Sequence, residues 1–495
     1  MGTEPSRSYF SRPVFWIVAA GMFTGIVAGV FSGSKPVYLS LLFVLLAMLL
    51  YFFTNFEQAV LGLLIARSSL DIFSAQQLPA ALAISVDGLT LLYVAVQLFR
   101  KKQIQIDHFF WIFSGWIFLQ MLWIVLLPIG GLGFDSSHLT TAIREWTRLF
   151  SWLMVYLLVM QLKDRIHPSR VISLLFLGLI TPLILATLQV ILPQSALPAI
   201  LAPLSTGEGS RISGTLGHSN TFATFLLLFI SLTCWKIKQG TRRVPWLLLL
   251  GLILFFYVRT MALFSLLMLA VYVVALITPR ANLLKLLGGL LLVGATVTLF
   301  GSTEFGQERL GSLANTPLLN RDMDISRAIL LSAGDNNSFN WRIAQWTYLL
   351  DQWKQFPIFG YGLGTSIYVS TNKLLPHNDY IRALVEQGIV GLVIFLAFLG
   401  IQVLYLIRSI RSSFRQTAQT DFCLSLLAVL LALPVGMLTE NIWSHTTFFF
   451  YWWALFSVAS WDWNQREPEQ SAIDHRRAWQ TERLLHRSPM AHRLF

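Results

Sequence analysis

Apolar runs long enough to cross a lipid bilayer recur along this sequence, and they leave few folds open to it. In hydrocarbon a backbone can satisfy its N–H and C=O groups only within a helix or a closed barrel. Crossing a core of about 30 Å takes about 20 apolar residues in a helix, and runs of that order fill 13–31, 37–54, 79–99, 109–128, 171–192 and 389–407. Alternating strands of about 10 residues, the mark of a membrane barrel, are not evident. Of the 495 residues, 55% are hydrophobic and 12% charged, a charged fraction well below the ~25% of soluble domains. Shorter or more polar runs at 58–73, 146–162, 221–235, 245–258, 260–278, 283–300, 422–438 and 446–461 raise the count. The expected fold is all-α and polytopic, with about 12 to 14 transmembrane helices and one large extracytoplasmic loop carrying short helices.

The net charge of +12 does not point to nucleic acid, because the basic residues cluster in short turns between apolar runs. Arg100, Lys101 and Lys102, then Lys163, Arg165 and Arg170, then Lys236, Lys238, Arg242 and Arg243, then Arg280 and Lys285, and finally Arg408, Arg411 and Arg415 fall on alternate turns. Positive-inside bias puts those turns and both termini in the cytoplasm. The expected organisation is membrane helices over 1–300, an outer loop over 301–380, further membrane helices over 381–463 and a basic cytoplasmic tail over 464–495. Cys234 and Cys423 lie near cytoplasmic helix ends, where no disulfide is expected. Apolar residues at Ile343, Trp346, Leu349, Leu350 and Trp353 keep helical spacing, so an amphipathic helix is expected over 340–353, ending before Pro357.

Three costly residues fall on the outer side of this topology. His377 precedes Asn378, Arg382 and Glu386, which read as the first turns of a helix. The positive end of that helix disfavours imidazolium and leaves a side chain able to accept a proton. The competing reading is an interfacial histidine with a structural hydrogen bond. Arg211 opens a small, polar stretch that leads through Asn220, a candidate N-cap, into a helix at Thr221. Backbone N–H groups there, with Arg211, make an anion site suited to a diphosphate; a water-satisfied loop arginine is the alternative. Arg259 has apolar neighbours on both sides, and a guanidinium against the bilayer costs at least about 2.5 kcal/mol unless it snorkels. Arg144, Glu145 and Arg148 begin an outer helix and can join the anion site, with Glu440 and His445 as second-rank candidates. Arg67 with Asp71, and Asp87, are read as structural ion pairing between helices.

Other motifs carry less. Gly360-Tyr361-Gly362-Leu363-Gly364 lacks the preceding strand and following helix of a dinucleotide loop. Asp322 and Asp324 have no nearby third ligand, and His138, His218, His377 and His445 have no close ligand spacing. No metal and no cofactor are expected.

The stretch running from Trp341 and Arg342 through Phe356-Pro357-Ile358-Phe359-Gly360-Tyr361-Gly362-Leu363-Gly364 to His377-Asn378-Asp379-Tyr380, Glu386-Gln387-Gly388 and Gly391 resembles the signature region of the O-antigen ligase and polymerase superfamily of bacterial surface-glycan enzymes. The surroundings of Arg211 to Asn220 and of Arg259 resemble that family's two external arginine sites, although Ser219 stands where many relatives have proline. The resemblance implies a metal-independent, inverting glycosyltransferase of the integral-membrane class in the bacterial inner membrane. The donor would be a glycan on a polyprenyl diphosphate, and the acceptor a hydroxyl on the periplasmic side. By carry-over His377 is the catalytic base, and Arg211 and Arg259 bind the donor diphosphate. Arg342, Asn378, Arg382, Glu386, Asn220 and Arg148 are supporting candidates. A ligase acting on a lipid A core and a polymerase of lipid-linked repeat units share these motifs. A small-anion transporter, the reading from another class, would call for ionisable residues near the bilayer midplane and inverted repeats, neither of which is visible.

Overall fold

A computed structural model of the chain describes residues 36–202, 211–240, 242–280, 283–302, 338–413 and 417–463, with 306–307 and 311. Among these residues every regular element is a helix. The run at 13–31, Asp322, Asp324 and the basic tail 464–495 lie outside the described residues. The chain divides into two compact units, Met1–Val60 and Leu61–Phe495. The first contains the apolar helix Pro36–Thr54, and the second contains all the candidate site residues.

Among the described residues six helices are long and apolar enough to cross a membrane: Leu78–Phe99, His108–Ile129, Pro168–Ile191, Ser219–Gln239, Asp379–Ser412 and Thr417–Gly436. The bent pair Phe43–Thr54 and Phe56–Arg67 makes a seventh if it counts as one span. The chain is therefore a multi-pass, all-α membrane protein with six or seven candidate spans among its described residues, and the expectation of about 12 to 14 is corrected. Several apolar runs do not form long continuous helices among the described residues. Val244–Arg259, Leu263–Ile277 and Thr446–Ala459 are apolar but short; at 1.5 Å per residue, helices of 14 to 16 residues reach only about 21 to 24 Å. The run at 58–73 breaks at Arg67 into a helix and a 3-10 turn, Asp71–Gln76. The run at 146–162 belongs to Leu139–Met160, whose first turns carry Arg144, Glu145 and Arg148.

The larger unit is built around Thr446–Ala459, where every side chain from Thr447 to Ala459 is buried. A helix apolar on all sides is enclosed by protein rather than laid on its surface. Leu139–Met160 and Ser219–Gln239 pack against it, Leu263–Ile277 packs against Thr417–Gly436, and Val244–Arg259 against Ser219–Gln239. Aromatic rings fill the interior, with Phe113 and Trp453 centroids 4.2 Å apart and Trp116 stacked on Phe398 at 4.2 Å. Ile84, Leu91, Leu98, Val393, Leu396 and Leu404 instead stand exposed on Leu78–Phe99 and Asp379–Ser412, as lipid-facing side chains do.

Buried charges brace the start of the central helix. Arg67 pairs with Asp71 at 2.5 Å and donates to Thr446 Oγ1 at 2.8 Å, while Thr447 Oγ1 donates to Asp71 Oδ2 at 2.5 Å. The expected pair thus ties its own turn to another helix. Asp87 accepts from Ser151 Oγ at 2.6 Å.

The glycine-rich stretch set aside as a nucleotide loop has a packing role. Tyr361 N–H donates to Val385 O at 2.9 Å, Gly362 N–H to Glu386 O at 2.8 Å and Ile389 N–H to Pro357 O at 2.9 Å. Gly388 has φ +67 and sits so close to this stretch that a Cβ there would lie 2.1 Å from Ile358 O. Gly388 also breaks the helical dihedrals within Asp379–Ser412, which is two helices joined at a kink.

Candidate active site

The amphipathic helix forms over Ser338–Trp353 and grips the segment leading to the histidine. Trp346 Nε1 donates to Pro376 O at 2.5 Å, and Gln345 Nε2 donates to Leu374 O at 3.0 Å. Asn378 then caps Asp379–Ser412, its Oδ1 accepting from the N–H groups of Tyr380 and Ile381, both at 3.0 Å. Between these anchors His377 has φ +50, a left-handed conformation that costs a non-glycine residue about 1 to 3 kcal/mol and tends to mark functional sites. Its ring stands edge-on to Trp341, centroids 5.7 Å apart.

The imidazole meets a carboxylate that sequence reasoning ranked second. His377 Nδ1 lies 3.2 Å from Glu440 Oε1, with the histidine side chain 20% and the glutamate 4% exposed. Burial alone would raise the Glu440 carboxyl, but its interactions with His377, Arg342 and His218 and the hydrogen bond from His377 outweigh it and hold the group well below the usual carboxylate range. An ionised carboxylate can only accept, so Nδ1 carries the hydrogen and Nε2 is the ring nitrogen left to take a proton.

From Glu440 the bonds run on to the arginine expected to bind an anion. Asn220 Nδ2 donates to Glu440 Oε2, and Asn220 Oδ1 accepts from Arg211 Nη2 at 2.7 Å. Arg211 Nε donates to Thr260 O at 3.1 Å, and Ile212 N–H donates to Arg259 O at 3.4 Å. The Arg211 segment thus adjoins the turn that carries Arg259. Arg259 ends the helix Val244–Arg259, and its Nε is buried with no hydrogen-bond partner among the described residues. Asn220 is not the cap expected of it: Ser219–Gln239 is capped by His218, whose Nδ1 accepts from Asn220 N–H at 3.2 Å. The freed Asn220 amide becomes the bridge between Arg211 and Glu440.

The remaining supporting candidates divide. Arg342 is near enough to Glu440 to stabilise its charge and lies 6.0 Å from the Trp341 ring centroid. Arg382, Glu386 and Arg148 form a second, buried network. Arg382 bonds Glu386 at 2.9 Å, Glu145 at 2.7 Å and Ser444 Oγ at 2.6 Å. Arg148 pairs with Glu145 and donates to Trp443 O at 2.5 Å. Trp443 N–H donates to Asp379 Oδ2 at 2.9 Å, and Asn378 Nδ2 to Leu438 O at 2.9 Å. This network laces the loop around Glu440 to the segment around His377.

His445 lies at the edge of the same cluster, 4% exposed and with Nδ1 unpartnered among the described residues. Burial lowers it to about 4, opposed by Glu440 and reinforced by His218, His377 and Arg148. An unfolded histidine titrates near 6.5, so between pH ~6.5 and ~4 the unfolded chain binds the extra proton and stability falls as pH falls. Wild type is expected to lose a few degrees of melting temperature across that window, corresponding to a contribution of order 3 kcal/mol. His445→Phe should flatten the loss; an unchanged pH slope in that variant would remove the assignment. Among the described residues no group of three or more His, Cys, Asp or Glu side chains is arranged to hold a metal ion.

Residues 244–396 match the family described as O-antigen ligase. Over that stretch the chain is similar to the O-antigen ligase superfamily. The match takes in Arg259, Arg342, His377, Asn378, Arg382 and Glu386 and ties the chain to O-antigen ligase chemistry at the level of the family. Arg211, Asn220, Glu440 and Arg148 lie outside the O-antigen ligase match, and their place beside its histidine rests on the bonds described above. No curated protein matches the chain.

Proposed function

We propose that the chain is a metal-independent inverting glycosyltransferase that moves a glycan from a polyprenyl diphosphate to an acceptor hydroxyl on the periplasmic side of a bacterial inner membrane. The acceptor is that of an O-antigen ligase, a lipid A core. The observation that carries the reading is the bonded series His377–Glu440–Asn220–Arg211, which joins a proton acceptor to an anion-binding side chain. His377 Nε2 takes the proton of the acceptor hydroxyl as its oxygen forms the new bond to the anomeric carbon. The bond from that carbon to the diphosphate oxygen breaks on the opposite face, and its electron pair leaves with the diphosphate. Arg211 and Arg259 stabilise the charge that develops there; fixed guanidinium groups suit that task because they need no reorganisation as the charge grows.

The direct test is transfer from a purified lipid-linked glycan in detergent with EDTA, offering lipid A core and a lipid-linked repeat unit as alternative acceptors. Transfer to the core supports the ligase reading, and preference for the repeat unit replaces it with a polymerase. Arg211→Ala and Arg259→Ala are each expected to lower kcat/KM for the donor by about 10²- to 10³-fold. Wild-type kinetics in either variant would take that arginine out of the site.

A further inference from the structure

One side chain that neither sequence pattern nor family match singles out controls the turn after Arg211. Gln189 lies near the end of the apolar helix Ile180–Ile191, where an amide is costly unless its hydrogen bonds are made. All of them go to backbone of the segment beyond that helix. Gln189 Oε1 accepts from Ser213 N–H at 3.0 Å and Gly214 N–H at 2.9 Å, and Nε2 donates to Leu201 O at 3.0 Å and Gly214 O at 3.3 Å. Gly214 has φ +54, and a Cβ there would meet Pro182 O of the same helix at 2.9 Å. Thr215 Oγ1 donates to Ser68 O at 2.5 Å on the other side. The turn two residues after Arg211 is therefore fixed in position.

We propose that Gln189 is a positioning residue for donor recognition: its amide sets the course of the Ser213–Gly214 turn and so aims Arg211 at the donor's diphosphate. This rests on the assignment of Arg211 to the donor site. The amide touches neither the histidine nor its carboxylate, so its loss acts on anion binding and leaves the base intact. Displacing a binding group by about 1 Å is enough for large effects, on the order of 10²-fold.

The test uses the full chain in detergent, titrated with inorganic diphosphate and assayed for donor KM and kcat. Gln189→Leu, similar in volume but without hydrogen bonds, is expected to weaken diphosphate binding and raise donor KM by about 10-fold or more, with any fall in kcat/KM no larger than that of Arg211→Ala. Gln189→Glu supplies the chemical control. Its protonated carboxyl can accept from Ser213 and Gly214 and donate to Leu201 O, whereas its carboxylate repels the two carbonyls. Its diphosphate affinity should approach wild type at acidic pH and fall to that of Gln189→Leu as pH rises. Unchanged diphosphate affinity in Gln189→Leu, or a loss confined to kcat and melting temperature, would overturn the proposal, as would wild type that binds no diphosphate. Wild type that binds diphosphate but transfers no glycan would instead count against the glycosyltransferase reading, and the affinity ratio would still decide the role of Gln189.

Discussion

His377→Ala is expected to lower kcat for glycan transfer by about 10²- to 10⁴-fold, the range for loss of a general base, with donor KM within about 3-fold. The separation follows from the geometry. His377 is held between Trp346 on one side and the Asn378 cap on the other, so losing its ring does not release the backbone at either anchor. Arg211 reaches Glu440 through Asn220, not through the histidine, so its bonds stay assembled. Single-turnover transfer with pre-bound donor checks the step directly. A variant that retains more than about a tenth of wild-type kcat would not have lost its general base, and the histidine would return to a structural role.

Glu440→Gln should come next in size, with kcat down by about 10²- to 10³-fold, because the carboxylate fixes which ring nitrogen is free. An amide at that position can present either an oxygen or an NH₂ to Nδ1, and in the second case the proton moves to Nε2 and the base is lost. The fold favours the ionised carboxyl. The sign for a lowered acid is that its contribution is complete above the ordinary carboxylate range and disappears as pH falls below it. Wild type should therefore keep the histidine tautomer throughout the neutral range, and its acid limb should not reflect Glu440. Glu440→Ala should differ from Glu440→Gln by also raising donor KM, since it leaves Asn220 without its acceptor and loosens the hold on Arg211. Equal donor KM values in the two variants would show that the Asn220 bridge does not transmit to the arginine.

The helix before His377 and the start of the helix after it are legible in the sequence because each depends on near neighbours. A proline and a 3.6-residue periodicity act over a few positions, and Ser338–Trp353 and Asp379–Ser412 lie where those signals are. Glu440 is not, since nothing local distinguishes an acid between two apolar runs from a solvated loop residue. Its value comes from Asn220 at a separation of 220 residues and His377 at 63, set by helix packing that hydropathy does not encode. Gln189 is illegible in the sequence for the same reason. The count of spans failed on a different ground: hydropathy averages over a window, whereas a membrane-crossing helix must also be unbroken, and the breaks at Arg67 and at the ends of the short apolar helices are decided by tertiary partners such as Thr446 and Thr447.

The kink at Gly388 has a mechanical meaning. The turns that present His377 and Asn378 are not the rigid upper end of the apolar helix that follows; their direction is taken from the loop 357–364 through its backbone bonds. Transmembrane helices tilt when bilayer thickness changes, and a continuous helix would act as a lever that swings whatever stands at its tip. With the lever jointed at Gly388, a tilt of the apolar helix need not swing His377 and Asn378, whose reference frame is made of protein rather than lipid.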